Sequence, residues 1–142
     1  MTPAFRLRPA TEADFEALLD LSVRVMRADL ERIGRFDPER RRARMRAALP
    51  ALQVIEGDAG PLGCIGLARD AEGVEVHSFY IEPHAQGRGL GRAVLDAALR
   101  EHPGLPVRIE VLKGSPARRF WEGQGFQVTG EAAFDLLMGR PG

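Results

Sequence analysis

The sequence reads as an α/β protein, an α+β mixed sheet flanked by helices, with residues 1–142 forming one domain. Two kinds of hydrophobic spacing carry this reading: apolar residues recur at helical intervals in some stretches and alternate with period two in others. The third observation is the order of elements. A strand, an amphipathic helix and a second strand follow one another between Val74 and Leu112, which implies a parallel pair joined by a right-handed crossover. The strands before them are joined by short turns and are expected to be antiparallel.

Residues Ala4–Arg8 read as a short strand ending at Pro9. Thr11 and Asp14 resemble a capping box, with Asp in place of the usual Glu or Gln. Phe15, Leu18, Leu19, Ser22, Val25, Met26, Leu30 and Ile33 then keep a helical period, giving a first helix to about Ile33. Asp37-Pro38-Glu39 supplies a cap, a first-turn proline and an acid at the positive end of the dipole, so a second helix starts there and runs to about Leu49. It carries the arginine-rich stretch Arg40–Arg46, expected to be a solvated face because Met45, Ala48 and Leu49 supply the core side; the alternative is a basic wall attracting an acidic acceptor. Strands follow at about Leu52–Glu56 and Leu62–Arg69, joined by a turn with Gly57, Asp58 and Gly60, and then at Val74–Glu82. A helix bearing Leu90, Val94, Leu95, Ala98 and Leu99 stops before Pro103-Gly104. Val107, Ile109 and Val111 alternate as a strand, and Ser115-Pro116 caps a short helix ending at Gly123 and Gly125. Phe126–Val128 and Ala133–Met138 are the last strands.

Composition narrows the function. A hydrophobic share of 44% and a charged share of 28% are those of a soluble globular protein. The formal net charge is zero, which argues against nucleic acid or an acidic membrane as partner. The single cysteine, Cys64, excludes an intramolecular disulfide framework and reads as a small core residue. No apolar run approaches a membrane span and no hydrophobic secretion segment opens the chain, so a cytoplasmic location is expected. His77, His84 and His102 stand in no metal-ligand cluster, so no metal is expected.

The run Val74–Leu95, VEVHSFYIEPHAQGRGLGRAVL, is the most informative. Gly87, Gly89 and Gly91 lie between a strand and a helix. Glycines let the chain turn tightly and expose successive amides, and the helix that follows aims its positive end at the same place. That order builds a site for a pyrophosphate. A dinucleotide fingerprint fails because Arg92 stands where its third glycine belongs, and no Gly-Lys-Ser or Gly-Lys-Thr is present for a P-loop. Gln86–Gly91 spells Q-x-x-G-x-G and, with the strand before it, resembles the acyl-CoA-binding motif of the GNAT superfamily of N-acetyltransferases. Lys113–Phe126, KGSPARRFWEGQGF, is similar to that family's downstream motif. Ala117, Phe120, Gly125 and Phe126 match it; Ser115 replaces its asparagine and Trp121 its tyrosine.

The resemblance implies a GNAT-like acyl-CoA N-acyltransferase fold, a central mixed sheet whose parallel strands splay apart. It implies acetyl-CoA as co-substrate, with the pantetheine arm along the main chain of Phe79, Tyr80 and Ile81. The pyrophosphate falls to Gln86, Gly87, Arg88, Gly89, Leu90, Gly91 and Arg92, the two arginines adding charge; Arg118 and Arg119 are expected toward the adenosine side. Ser115, most simply a helix cap, and Trp121 border the cofactor pocket, and an indole donates a hydrogen bond but supplies no proton to a thiolate. The activity implied is acetyl transfer to a primary amine of a small-molecule or peptide/protein acceptor. The alternatives are a noncatalytic acyl-CoA-binding module and an enzyme for a bulkier acyl group. C-terminal edge strands are compatible with a homodimer.

Such a reaction needs a base for the ammonium, and Glu75 is the candidate, placed where some relatives carry a glutamate base. Period-two alternation puts Glu75, His77, Phe79 and Ile81 on one face and Val74, Val76, Ser78 and Tyr80 on the other. On that reading His77 sits beside Glu75, while the only tyrosine, Tyr80, packs on the opposite side.

Overall fold

The computed structural model describes residues 1–142. The chain forms β1 (Phe5–Pro9), a 3₁₀ turn (Glu12–Asp14), α1 (Phe15–Arg32), α2 (Pro38–Ala48), β2 (Leu52–Gly57), β3 (Gly60–Asp70) and β4 (Gly73–Ile81). Then come α3 (Leu90–Leu99), β5 (Val107–Leu112), α4 (Ala117–Gly123), β6 (Gln127–Glu131) and β7 (Asp135–Arg140). Every expected element is present. The last two strands lie slightly later than their hydrophobic pattern suggests, because Phe126 turns into the core beside Trp121 before β6 begins. No helix is long and apolar enough to cross a membrane.

The local signals act as their chemistry requires. Asp14 Oδ2 accepts from the Thr11 amide at 2.7 Å, closing the capping box, and Arg8 forks onto both Asp14 oxygens at 2.9 Å. Asp37 Oδ1 accepts from the Glu39 and Arg40 amides at 2.9 and 3.2 Å, with Pro38 in the first turn of α2.

One seven-stranded sheet has the order β1-β2-β3-β4-β5-β7-β6, antiparallel throughout except for the β4–β5 pair. Alternation along the strands divides the core between two faces. Phe15, Leu18, Leu21 and Met45 pack over Leu52, Val54, Cys64 and Tyr80 on the α1/α2 side. Leu90, Val94, Leu95, Ala98, Trp121 and Phe126 pack over Ile55, Ile65, Val76, Ile109, Val111 and Met138 on the α3/α4 side. Cys64 is fully buried, and desolvation pushes its thiol up to about 12, which leaves it protonated and unreactive.

Candidate active site

The site begins where the sheet comes apart. β4 and β5 pair only at Val74↔Val107 and Glu75↔Arg108. The Asp70–Arg108 ion pair braces that closed end. Further along, β4 stays paired to β3 as far as Gly63↔Ile81, but its other edge has no strand beside it. Main-chain donors and acceptors from about His77 onward therefore face an open wedge, the place where an extended ligand would complete the sheet.

A bulge lies in the middle of this free edge. Cys64 pairs with Tyr80 and Gly66 with His77, so Ile65 alone faces both Ser78 and Phe79. Ser78 takes a left-handed conformation at φ 49°, the one non-glycine residue with positive φ. The Cys64 thiol donates to the Ser78 carbonyl at 3.2 Å, and His77 Nδ1 lies 3.1 Å from Ser78 Oγ. The extra residue reverses the alternation expected from sequence. Phe79 and Ile81 join the α3/α4 core, while Tyr80 moves to the α1/α2 face. Tyr80 therefore lines the same cavity as Glu75 and His77 instead of packing away from them.

That cavity, of about 580 Å³, runs through the strand gap between α2, β4, β5 and the start of α4. Glu75, His77 and Tyr80 line it from β4, Arg41 and Arg44 from α2, and Trp121 from α4. The His77 ring packs against Gly66, where an added Cβ would come within 2.3 Å of it. Burial holds the His77 imidazole below its ordinary value, with the Glu75 charge opposing, so the ring is neutral at neutral pH. Burial also pushes the Tyr80 hydroxyl up, partly offset by Arg41.

The expectation of a solvated face for the Arg40–Arg46 run holds for Arg40, Arg42, Arg44 and Arg46 and is corrected at Arg41. Arg41 is 7% exposed and directs Nη1 at the Tyr80 hydroxyl, 3.4 Å away. Sequence reasoning passed over it because six charged residues surround it, yet a signal was present. Arg41 lies four residues before Met45, and i, i+4 residues share a helix face.

At the other end of the wedge lies the glycine loop. Gly87 and Gly89 have φ of 76° and 77°, and Gly89 immediately precedes α3. The first loop or helix amide after Gln86 with a main-chain acceptor is that of Ala93, bonded to Gly89, so the amides of Gly87–Arg92 are all free. The Gln86 side chain does not point to that concavity; its Nε2 donates to the Ile81 carbonyl at 2.9 Å and ties the loop to the end of β4. A Cβ at Gly91 would come within 2.9 Å of Phe120, so this glycine brings α3 against α4. Arg88 makes no ion pair, whereas Arg92 lies 3.9 Å from Asp96 and Arg118 bonds Glu122 at 3.3 Å.

Ser115 Oγ accepts from the Ala117 amide at 3.1 Å, but the cap position of α4 is Pro116, so Ser115 stands one residue before the cap expected of it. Trp121 is buried in edge contact with Phe120 and Phe126, ring centres 5.0 Å away in each case, and with Phe79 at 5.9 Å. The open edge of β4 thus leads along the chain into the free amides of the glycine loop, which Gln86 ties to the end of β4, and the aromatic cluster of Phe79, Phe120 and Trp121 packs beside them.

An acetyltransferase (GNAT) domain profile matches residues 51–128, the stretch that holds the wedge, the glycine loop and α4. The chain belongs to the GNAT acetyltransferase family. The peptidyl-lysine N-acetyltransferase YjaB of Salmonella typhimurium is 28% identical over 127 residues, 89% of this chain and 77% of that protein. A mycothiol acetyltransferase of Clavibacter michiganensis is 39% identical over 71 residues, 49% of this chain but only 23% of that protein's length. Among solved structures, the PaiA N-acetyltransferase of Thermoplasma acidophilum in complex with coenzyme A superposes with a TM-score of 0.78 at 18% identity, covering 98% of this chain and 99% of that one.

Proposed function

We propose that this chain is a cytoplasmic, one-domain enzyme that transfers the acetyl group of acetyl-CoA to a primary amine of a small-molecule or peptide/protein acceptor. The observation that carries this reading is the open β4 edge followed along the chain by the free amides of Gly87–Arg92, with Gln86 tying the loop to the end of the strand. One end offers unpaired strand backbone, suited to the amide-bearing pantetheine arm. The other offers clustered N–H groups at a helix start, suited to a pyrophosphate. The side chains of Arg88 and Arg92 add charge there. The cofactor supplies an acyl thioester.

The chain's own residues do the rest. Glu75 takes a proton from the incoming ammonium, directly or through water, and the neutral His77 imidazole beside it is able to relay that proton. A main-chain N–H of the bulged strand stabilises the negative charge that develops on the carbonyl oxygen as the C–N bond forms; the C–S bond then breaks, and the thiolate leaves and takes up a proton from water. Trp121 closes the apolar end of the pocket and narrows the space for the acyl group.

The absence of a tyrosine at position 121 favours a second reading, a noncatalytic acyl-CoA-binding module. Release of CoA thiol from acetyl-CoA, measured across amines, polyamines and peptide N-termini, separates the two. Saturable CoA binding without acetylation of any acceptor would establish the binding module.

A further inference from the structure

The arginines of α2 are neutralised one by one, with two exceptions. Arg42 bonds Glu16 at 2.6 Å, Arg46 pairs with Glu12, and Arg40 lies 3.9 Å from Asp37. Arg41 and Arg44 have no carboxylate, and both line the cavity. Arg41 is the costlier omission. The residue is only 7% exposed, and the sole hydrogen-bond partner of its guanidinium is the neutral Tyr80 hydroxyl at the long distance of 3.4 Å. A buried cation without a counter-charge is strongly unfavourable. The remaining donors are not sealed inside the protein, since the orphaned buried side-chain polar atoms are Glu56 Oε2 and His102 Nδ1. They open onto the cavity. Arg44, one turn along, stands exposed at its mouth.

The cavity also holds carboxylates, and they do not meet this cationic pair. Asp37 is engaged as the cap of α2. Glu110 and Asp135 come from β5 and β7, and Glu75 from the closed end of the β4–β5 wedge. The cleft therefore carries two guanidinium groups without a carboxylate partner on α2, and the carboxylates of Glu75, Glu110 and Asp135 on its strands, with Glu75 the one on β4.

We propose that Arg41, assisted by Arg44 and the Tyr80 hydroxyl, binds a carboxylate of the acceptor, so that the substrate is an amine of amino-acid type carrying both charges. This rests on the cleft being the acceptor site of an acetyltransferase. The planar guanidinium suits a carboxylate held by two parallel hydrogen bonds, and the acceptor's ammonium is then left toward Glu75. Arg41 and Arg44 thereby set specificity without taking part in proton transfer.

The test uses matched acceptors that differ by one carboxylate: L-phenylalanine against phenethylamine, L-lysine against cadaverine, and 6-aminohexanoate against pentylamine. Thiol release from acetyl-CoA gives kcat and KM for each. At least one carboxylate-bearing member should be preferred by roughly 10- to 100-fold in kcat/KM, the worth of a charge-assisted hydrogen bond. Arg41→Met should erase that preference by raising KM for the acid alone, with KM for acetyl-CoA unchanged, and Arg41→Lys should keep part of it. Arg44→Met, at an exposed position, weakens the preference without threatening the fold. Equal or better use of every decarboxylated amine would overturn the inference while leaving the acetyltransferase reading intact. So would a preference that survives both Arg41→Met and Arg44→Met. If no amine is acetylated, the acetyltransferase reading fails, and calorimetric titration of the same three acids into CoA-loaded protein decides the carboxylate site. Saturable binding lost in Arg41→Met supports it, and no binding to the parent protein refutes it.

Discussion

Replacing Gly89 with valine tests the anion site at its most constrained point. The residue precedes α3 at φ 77°, where an L side chain costs about 1–2 kcal/mol and a β-branched one more. Its Cβ would also stand 3.0 Å from Thr2 Oγ1, whose hydroxyl bonds the Arg88 carbonyl at 2.7 Å. The backbone must rotate, and the amides around it no longer converge. A charge-assisted hydrogen bond is worth about 1.5–3 kcal/mol, so losing two of them should weaken CoA binding by roughly 10²- to 10⁴-fold. Melting should fall by only a few degrees, since the strain is local. Isothermal titration of CoA measures the loss, and acetyl-pantetheine, which lacks the pyrophosphate, is the control whose affinity should stay as in the parent. Unchanged CoA affinity in a folded variant would place the phosphates elsewhere. An equal fall for acetyl-pantetheine would show that the distortion had spread from the loop to the β4 edge.

Glu75→Gln should lower turnover by roughly 10²- to 10⁴-fold and shift the acidic limb of the pH–rate profile, with acetyl-CoA affinity unchanged. Equal activity in steady-state assays would reduce Glu75 to a strand residue. Trp121→Phe should alter KM for the acyl donor and leave kcat near the parent value, whereas abolished turnover with intact donor binding would give the indole N–H a place in the chemistry. Trp121→Tyr raising kcat would show that a hydroxyl there reaches the thiolate. The Arg8 guanidinium holds the Asp14 carboxyl at about 2, below its ordinary 3.8. A depressed carboxylate stabilises the fold above its unfolded value and loses that contribution as pH falls through the folded one. In this partly exposed pair it amounts to about 1 kcal/mol. Urea melts of the parent and Asp14→Asn should therefore differ near pH 5 and converge as the pH approaches about 2. A gap that stays constant over that range would exclude the charge as its source.

Much of this molecule is written in short-range signals. The Thr11–Asp14 box, the Asp37-Pro38 cap, the Ser115–Ala117 turn and the run Gln86–Gly91 each depend on a few adjacent residues, so their chemistry is complete in the sequence. The order strand–helix–strand from Val74 to Leu112 likewise determines a parallel pair by itself, because the crossover has one favoured hand. The face of β4 beyond Ser78 was not legible in that way. Strict alternation sent Tyr80 away from Glu75, and the bulge against Ile65 brought it back. A bulge arises from pairing with a strand more than ten residues distant, and nothing local to HSFYI announces it. Arg41 gives the same lesson in charge. Read along the chain it is one arginine among several; only the packing of α2 over β4 separates it from Arg42 and Arg46, which lean outward to acidic partners on and just before α1. The sequence by itself determined the elements, their caps and the loop of free amides, since local geometry suffices for each. Tertiary structure alone decided which side chains share the cavity and which cation there lacks a counter-charge, because burial is a property of neighbours brought together by folding.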